Sequence, residues 1–336
     1  MDSLTHIALG ACMGEAFAGK TVGKKAMLWG ALAQSVPDID FAASFWMDVS
    51  GSLLAHRGFT HSFLFCLLIT PLMALLAERW HRPHNISLRK WIFFFGTVIF
   101  IHIFLDAFNN YGVGWFEPFT QKRISFNVIY VVDPFFSIWP GIAFIALLIF
   151  RRNVPRRKRW WQMGLGLSAI YLFYCLFNKY TINKDVKGIL QKQHISYTQY
   201  LSTPAPLQNW LWFVVAGNDT GYHVGFRSLF DTKKQISFQY FPKNESLLNP
   251  VKDHEDVHKL IRFSQNFYTV EKWGDTLVFN DLRFGQIVGW QDPKEKFVFH
   301  YFLHEEYDNR YVVQRGRFAK WNWKVAKNMM RRIGGN

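Results

Sequence analysis

Several short stretches of the 336-residue chain carry side chains that can bind a divalent cation or move a proton. HRGFTHS (56–62) holds His56, Arg57 and His61, and HIFLDAFNNYG (102–112) holds His102 and Asp106. SVPDID (35–40) holds Asp38 and Asp40, MDSLTH (1–6) holds His6, and VVDPF (131–135) holds Asp133. His102 and Asp106 stand four apart in an apolar run, so on a helix they share one face. A charged group there costs roughly 2.5–3.5 kcal/mol at the centre of a bilayer, which makes such residues functional candidates. Imidazole and carboxylate together suit a divalent metal; the bland alternative is a buried His–Asp hydrogen bond that only locks helices together. Asp38 and Asp40 can ligate, orient a histidine from behind, or simply form a solvated turn. His6 repeats the four-residue pairing with Asp2, and Asp133 reads equally as a turn acid. Arg57, with Lys122 or Arg123 nearby, suits an anionic substrate.

The elements that must position these groups read as membrane helices. Apolar runs at 62–78, 91–108, 134–150 and 161–178 are just long enough to span, and Ala- and Gly-rich segments at 3–18 and 24–36 either cross obliquely or form a re-entrant hairpin. The loops 79–90 (Arg79, Arg82, Arg89, Lys90) and 151–159 (Arg151, Arg152, Arg156, Arg157, Lys158, Arg159) hold ten cations, against Lys122 and Arg123 in 109–134. That asymmetry places the two basic loops in the cytoplasm. Every polar cluster named above then falls on the outer face, although only Lys and Arg entered the topology argument. Thr60 reads as the cap of the helix beginning at His61, with Phe59 stapled against Leu64.

The expected fold is an α-helical multi-pass membrane bundle (1–180) followed by a soluble α+β domain (181–336). WLWFVVA, QISFQYF, DTLVFND and KFVFHYFLH read as strands, and DHEDVHKLIRFSQNF as a helix capped by Asp253. HEDVH (254–258) matches the zinc-peptidase pattern, but its charged flanks suggest an exposed helix start rather than a buried site using His254 and His258. Cys12, Cys66 and Cys175 have no metal or disulfide spacing. The net charge of +15 sits mainly in short loops, which favours a topology signal over nucleic acid, and 18% aromatic content suits membrane interfaces. The start of the chain lacks the basic region of a cleavable signal.

In this order, MDSLTH, PDID, HRGFTHS, HIFLDAFNNYG and VVDPF resemble the YdjM-type family of membrane-bound metal-dependent hydrolases. The resemblance covers roughly residues 1–150, and HRGFTHS is its most specific piece. PAPLQNWLWFVV followed by GFRSLFD is similar to the C-terminal extension of longer members, while NNYG stands where many relatives carry a Thr-rich stretch. The resemblance implies His6, Asp38, Asp40, His56, His61, His102 and Asp106 as signature positions. The reading is a hydrolase of the inner membrane acting on a lipid-linked or other anionic ester. His6, Asp38, Asp40, His61, His102 and Asp106 bind a divalent ion, zinc first, and His56, Arg57 and Asp133 serve catalysis. Membrane lipids are the expected partners, nucleic acid is not, and the C-terminal domain lies on the non-cytoplasmic side. The competing readings are a non-catalytic membrane protein and the zinc peptidase.

Overall fold

The computed structural model describes residues 1–151, 155–303 and 320–336. Arg152 and His304, counted above in a basic loop and a strand, lie outside the described residues. The chain divides into two compact units, Met1–Ala43 with Ala55–Cys175, and Ser44–Leu54 with Leu176–Asn336.

In the first unit, α1 (Ser3–Val22) and α2 (Lys24–Ser35) form a hairpin that turns at Gly23, whose φ of 67° is open to glycine at little cost. Their backbones touch: a Cβ on Gly10 would collide with the Gly30 carbonyl, and one on Gly14 with the Ala26 carbonyl. Gly30→Leu should therefore wedge the hairpin apart and cost roughly 1–3 kcal/mol or more. A thermal midpoint equal to that of wild type would contradict this close approach. Asp2 caps α1, accepting from the Thr5 amide at 2.9 Å, so its partner is Thr5 rather than His6.

A 3-10 helix (Pro37–Phe45) and the helix α3 (Val49–Ala55) lead to α4 (Phe63–His81). The cap of α4 is Ser62, which accepts from the Phe65 amide at 3.0 Å. Thr60 was expected in that role, but it and His61 belong to a separate 3-10 turn (Phe59–His61), and the Thr60 hydroxyl donates to Asp40 instead. Helices α4, α5 (Leu88–Asp106) and α7 (Arg156–Lys192) are long and apolar enough to cross a membrane; α6 (Pro134–Ile149) is apolar but has 16 residues. The core between α2, α4 and α5 is built from Ala33, Ala74, Ala77, Trp91, Phe95 and Ile99. Arg157, one of the loop cations, is buried and grips Glu15 of α1 through two bonds of 2.8 and 2.6 Å.

Helix α7 runs 37 residues, well past the apolar run 161–178. Its second part continues because Ile182, Val186, Ile189 and Leu190 form one apolar stripe, which packs on Trp212, Val214 and Ala216 of the second unit. That unit carries an antiparallel sheet of β1 (Gln199–Pro204), β2 (Leu211–Gly217), β3 (Gly221–Ser228) and β4 (Gln239–Pro242) in chain order. β4 is shorter than the run QISFQYF, since only Gln239–Pro242 finds partners on β3. A second antiparallel sheet joins β5 (Tyr268–Trp273), β6 (Thr276–Gln286) and β7 (Phe297–Leu303). Helix α8 (Glu255–Phe263) begins after His254, not after Asp253, and α9 (Trp323–Ile333) lies near the C-terminus.

Candidate metal centre

Three segments of the first unit, the turn after α2, the loop before α4 and the end of α5, meet at one point. Pro37 stops α2, and the 3-10 helix that follows turns about 120° per residue, so Asp38 and Asp40 point about 120° apart. Asp38 faces α5, whose His102 and Asp106 are fully buried on one face as the four-residue spacing requires. The loop 56–61 brings His61 to the same point. Ligand atoms of Asp38, His61, His102 and Asp106 all lie within 4.8 Å of one another.

The separations within this group are specific. His61 Nε2 is 3.1 Å from His102 Nε2, 3.6 Å from Asp38 Oδ1 and 3.4 Å from Asp106 Oδ2. His102 Nε2 is 3.5 Å from Asp38 Oδ1 and 3.9 Å from Asp106 Oδ2. Four ligands held tetrahedrally at about 2.0–2.2 Å from one zinc ion are about 3.3–3.6 Å apart, so this donor set fits a single divalent ion.

Asp40 stands behind the group. Its Oδ2 is 3.2 Å from His61 Nδ1 and accepts the Arg57 amide at 2.6 Å, and its Oδ1 faces His56 Nδ1 at 3.1 Å. Burial pushes the Asp40 carboxyl up, but bonds from His56 and His61 prevail and hold it well below the usual carboxylate range. An ionised carboxylate only accepts, so both rings carry their proton on Nδ1 and keep a lone pair on Nε2. Asp40 thus orients two histidines, one aimed at the metal group and one, His56, half exposed. Burial lowers the His56 pKa, against the opposing bond to Asp40, so the ring is neutral near pH 7.

A similar chain of constraints fixes His6. The Gln34 amide donates to the Val98 carbonyl at 2.7 Å, which turns Gln34 Oε1 toward His6 Nδ1 at 2.8 Å. His6 Nδ1 must donate, so in the neutral ring Nε2 offers a lone pair to Asp106 Oδ1, 3.1 Å away. Two acceptors at that distance call for a proton or a cation between them. The Met1 amino group also contacts Asp106.

Arg57 is buried, and its φ of 60° is a strained value for a residue with a Cβ. Its backbone is fixed at both ends, the amide by Asp40 and the carbonyl by the Gly114 amide at 2.8 Å. Its guanidinium lies 3.0 Å from Asp106 Oδ2 and donates to Asn109 Oδ1 and the Met1 carbonyl. The guanidinium expected to hold a substrate anion is thus paired with Asp106. Arg123 likewise holds the loop, donating to the carbonyls of His56 and Gly112, while Lys122 is exposed. Asp133 is placed outside the convergent set: it caps α6 through the Phe135 and Phe136 amides and accepts from the Tyr171 hydroxyl at 3.1 Å. In the second unit His258 is exposed and Glu255 pairs with Lys259 at 3.0 Å, as on a surface helix start.

Sequence reasoning missed Gln34 and Asn109, and it read Thr60 as a helix cap rather than as a partner of Asp40. The one readable signal was Gln34, an amide four residues before Asp38 in an otherwise apolar segment.

A family model described as YdjM inner membrane protein matches residues 1–182. Inner membrane protein YbcI of Escherichia coli (strain K12) is 27% identical over 154 residues, covering 45% of this chain and 81% of that protein. Uncharacterized protein YfhP of Bacillus subtilis (strain 168) is 32% identical over 172 residues, covering 44% of this chain and 51% of that protein. No solved structure matches the chain. The matched segment contains all four converging residues together with His6, Asp40 and His56, and the chain belongs to the YdjM inner membrane protein family.

Proposed function

We propose that the protein is a multi-pass inner-membrane hydrolase that uses a divalent metal to cleave an anionic ester, lipid-linked or a phosphoester, at the outer membrane face. Family membership and the three long apolar helices support the inner-membrane location. The observation that carries the chemistry is the convergence of ligand atoms of Asp38, His61, His102 and Asp106, all within 4.8 Å of one another, with the two histidines 3.1–3.9 Å from each other and from both carboxylates. These four would hold the ion, with His6 Nε2 beside Asp106, and two imidazoles with two carboxylates suit zinc. When bound, such an ion supplies polarisation of an ester or phosphoryl oxygen and a more acidic water.

The chain's own groups have separable duties. His56, neutral and half exposed, presents Nε2 as the general base. Asp40 positions both His56 and His61, and Arg57 fixes Asp106. The Arg57–Asp106 pair is also what a purely structural lock would contain, and metal content separates that reading from this one.

Because the His56 pKa is lowered, the base is charged only below its ordinary value of about 6.5, so hydrolysis of a chromogenic phosphoester should fall on an acid limb below that pH. His56→Gln should erase that limb and reduce kcat by about 10²–10⁴. An unchanged kcat and pH profile would remove His56 from the reaction.

The basic loops 79–90 and 151–159 are assigned to the cytoplasm and the residues after 181 to the outer side. With the native cysteines replaced, single cysteines at Ser87 and Asn244 should react with an impermeant reagent from opposite sides. Reaction of both from one side would overturn this placement.

A further inference from the structure

The metal group is closed on most sides. His61, His102 and Asp106 have no exposed surface, whereas the Asp38 side chain is 18% exposed. Asp38 forms part of the wall of a cleft of about 640 Å³, and His56 lies on the same wall. A molecule that reaches the ligands through Asp38 must lie in this cleft.

The cleft has a mixed lining. Polar side chains, among them Asp38, His56 and Tyr111, share it with Leu32, Ile39 and Phe41, which are 44%, 58% and 64% exposed. Leu28, one turn before Leu32 and 59% exposed, continues this apolar surface along the outside of α2. Exposed apolar residues leading into a pocket with convergent polar groups mark a ligand that is itself divided in the same way. Leu32, Ile39 and Phe41 differ from other exposed apolar residues, such as Leu67 and Leu68 of α4, in lining the same cleft as Asp38 and His56.

Resting on the hydrolase reading above, we infer that the substrate is an anionic membrane amphiphile. Its apolar chain lies on Leu32, Ile39 and Phe41, its ester-bearing head reaches Asp38 and His56, and it enters sideways from the bilayer along α2. A cation held by Asp38, His61, His102 and Asp106 would supply the attraction for the negative head, and Leu32, Ile39 and Phe41 supply selection for a chain.

The test uses full-length protein in phosphatidylcholine vesicles doped with phosphatidic acid that carries a diazirine in its chain, and in parallel with diacylglycerol of the same chain. After photolysis, labelled sites are mapped by mass spectrometry. Leu67 and Leu68, exposed on α4, report ordinary lipid contact. Labelling at 32–41 relative to Leu67 and Leu68 should be about tenfold higher for phosphatidic acid than for diacylglycerol, the ratio expected from one charge-assisted contact. Leu32→Trp and Ile39→Trp should each bring the ratio down to the α4 level while metal content is retained. Equal ratios for the two probes, or a ratio that both variants leave unchanged, would overturn the inference. Elemental analysis of the same samples keeps the two readings apart. Metal-loaded protein with equal ratios defeats only the amphiphile, whereas metal-free wild type defeats the hydrolase reading beneath it.

Discussion

Asp106→Asn should lose the bound metal and unfold at a clearly lower temperature even when metal-free. The carboxylate is fully buried and is shared by many partners: Arg57 Nε at 3.0 Å, His6 Nε2 at 3.1 Å, His61 Nε2 at 3.4 Å and the Met1 amino group. Asparagine keeps the shape but removes the charge. The Arg57 guanidinium, 2% exposed, is then left without its anion, and breaking a buried pair in this way costs about 3–5 kcal/mol. For a unit of this size the thermal midpoint should fall on the order of 10 °C. In the metal-loaded state the loss is larger, because a bound ion adds its own stabilisation to the folded form. If Asp106→Asn bound metal and melted like wild type, Asp106 would be neither a ligand nor the anchor of Arg57.

The second large effect belongs to a residue that touches no metal. Asp40→Asn replaces a group that only accepts with one that accepts on one atom and donates on the other. It then has to serve His56 Nδ1, His61 Nδ1, the Arg57 amide and the Thr60 hydroxyl, all of which now donate to it or face it. At least one imidazole loses its acceptor and adopts the other tautomer. Loss of such an outer partner lowers metal affinity about 10–100-fold. Where an orienting carboxylate behind a catalytic histidine becomes an amide, kcat falls by up to about 10⁴-fold. The two readouts separate the two rings: weaker metal binding reports His61, and lost turnover at saturating metal reports His56. Wild-type values for both would show that Asp40 is a capping residue and nothing more.

The sequence made much of this site readable because its costly groups stand out against apolar runs. His102 and Asp106 could be paired from the helical repeat alone, and both lie buried on one face of α5. Asp38 and Asp40 could not be told apart, because their different roles depend on the 3-10 geometry after Pro37, which D-x-D does not announce. The role of Arg57 was hidden for a related reason. A cation beside a histidine motif reads as an anion binder, whereas the left-handed backbone that turns it onto Asp106 is visible only in three dimensions. Asp133 was read both as a turn acid and as a catalytic group, and the structure uses it to start α6. In the second unit β2, β4, β6 and β7 followed from apolar alternation, whereas β1, β3 and β5 were not read, and the end of QISFQYF that pairs was set by β3. The length of α7 exceeded the apolar run because packing on β2 extended a helix that hydropathy alone would have ended.

The central claim is that Asp38, His61, His102 and Asp106 share one divalent ion, and the most direct measurement is elemental analysis of purified full-length protein. Wild type prepared without chelator should contain a divalent metal in stoichiometric amount, while His61→Ala and His102→Ala, each shown to be folded, should contain little. Carefully prepared wild type that holds no metal and gains no thermal stability from added divalent ions would contradict the account, as would full metal content in both variants. The buried histidines and aspartates would then be a lock between helices.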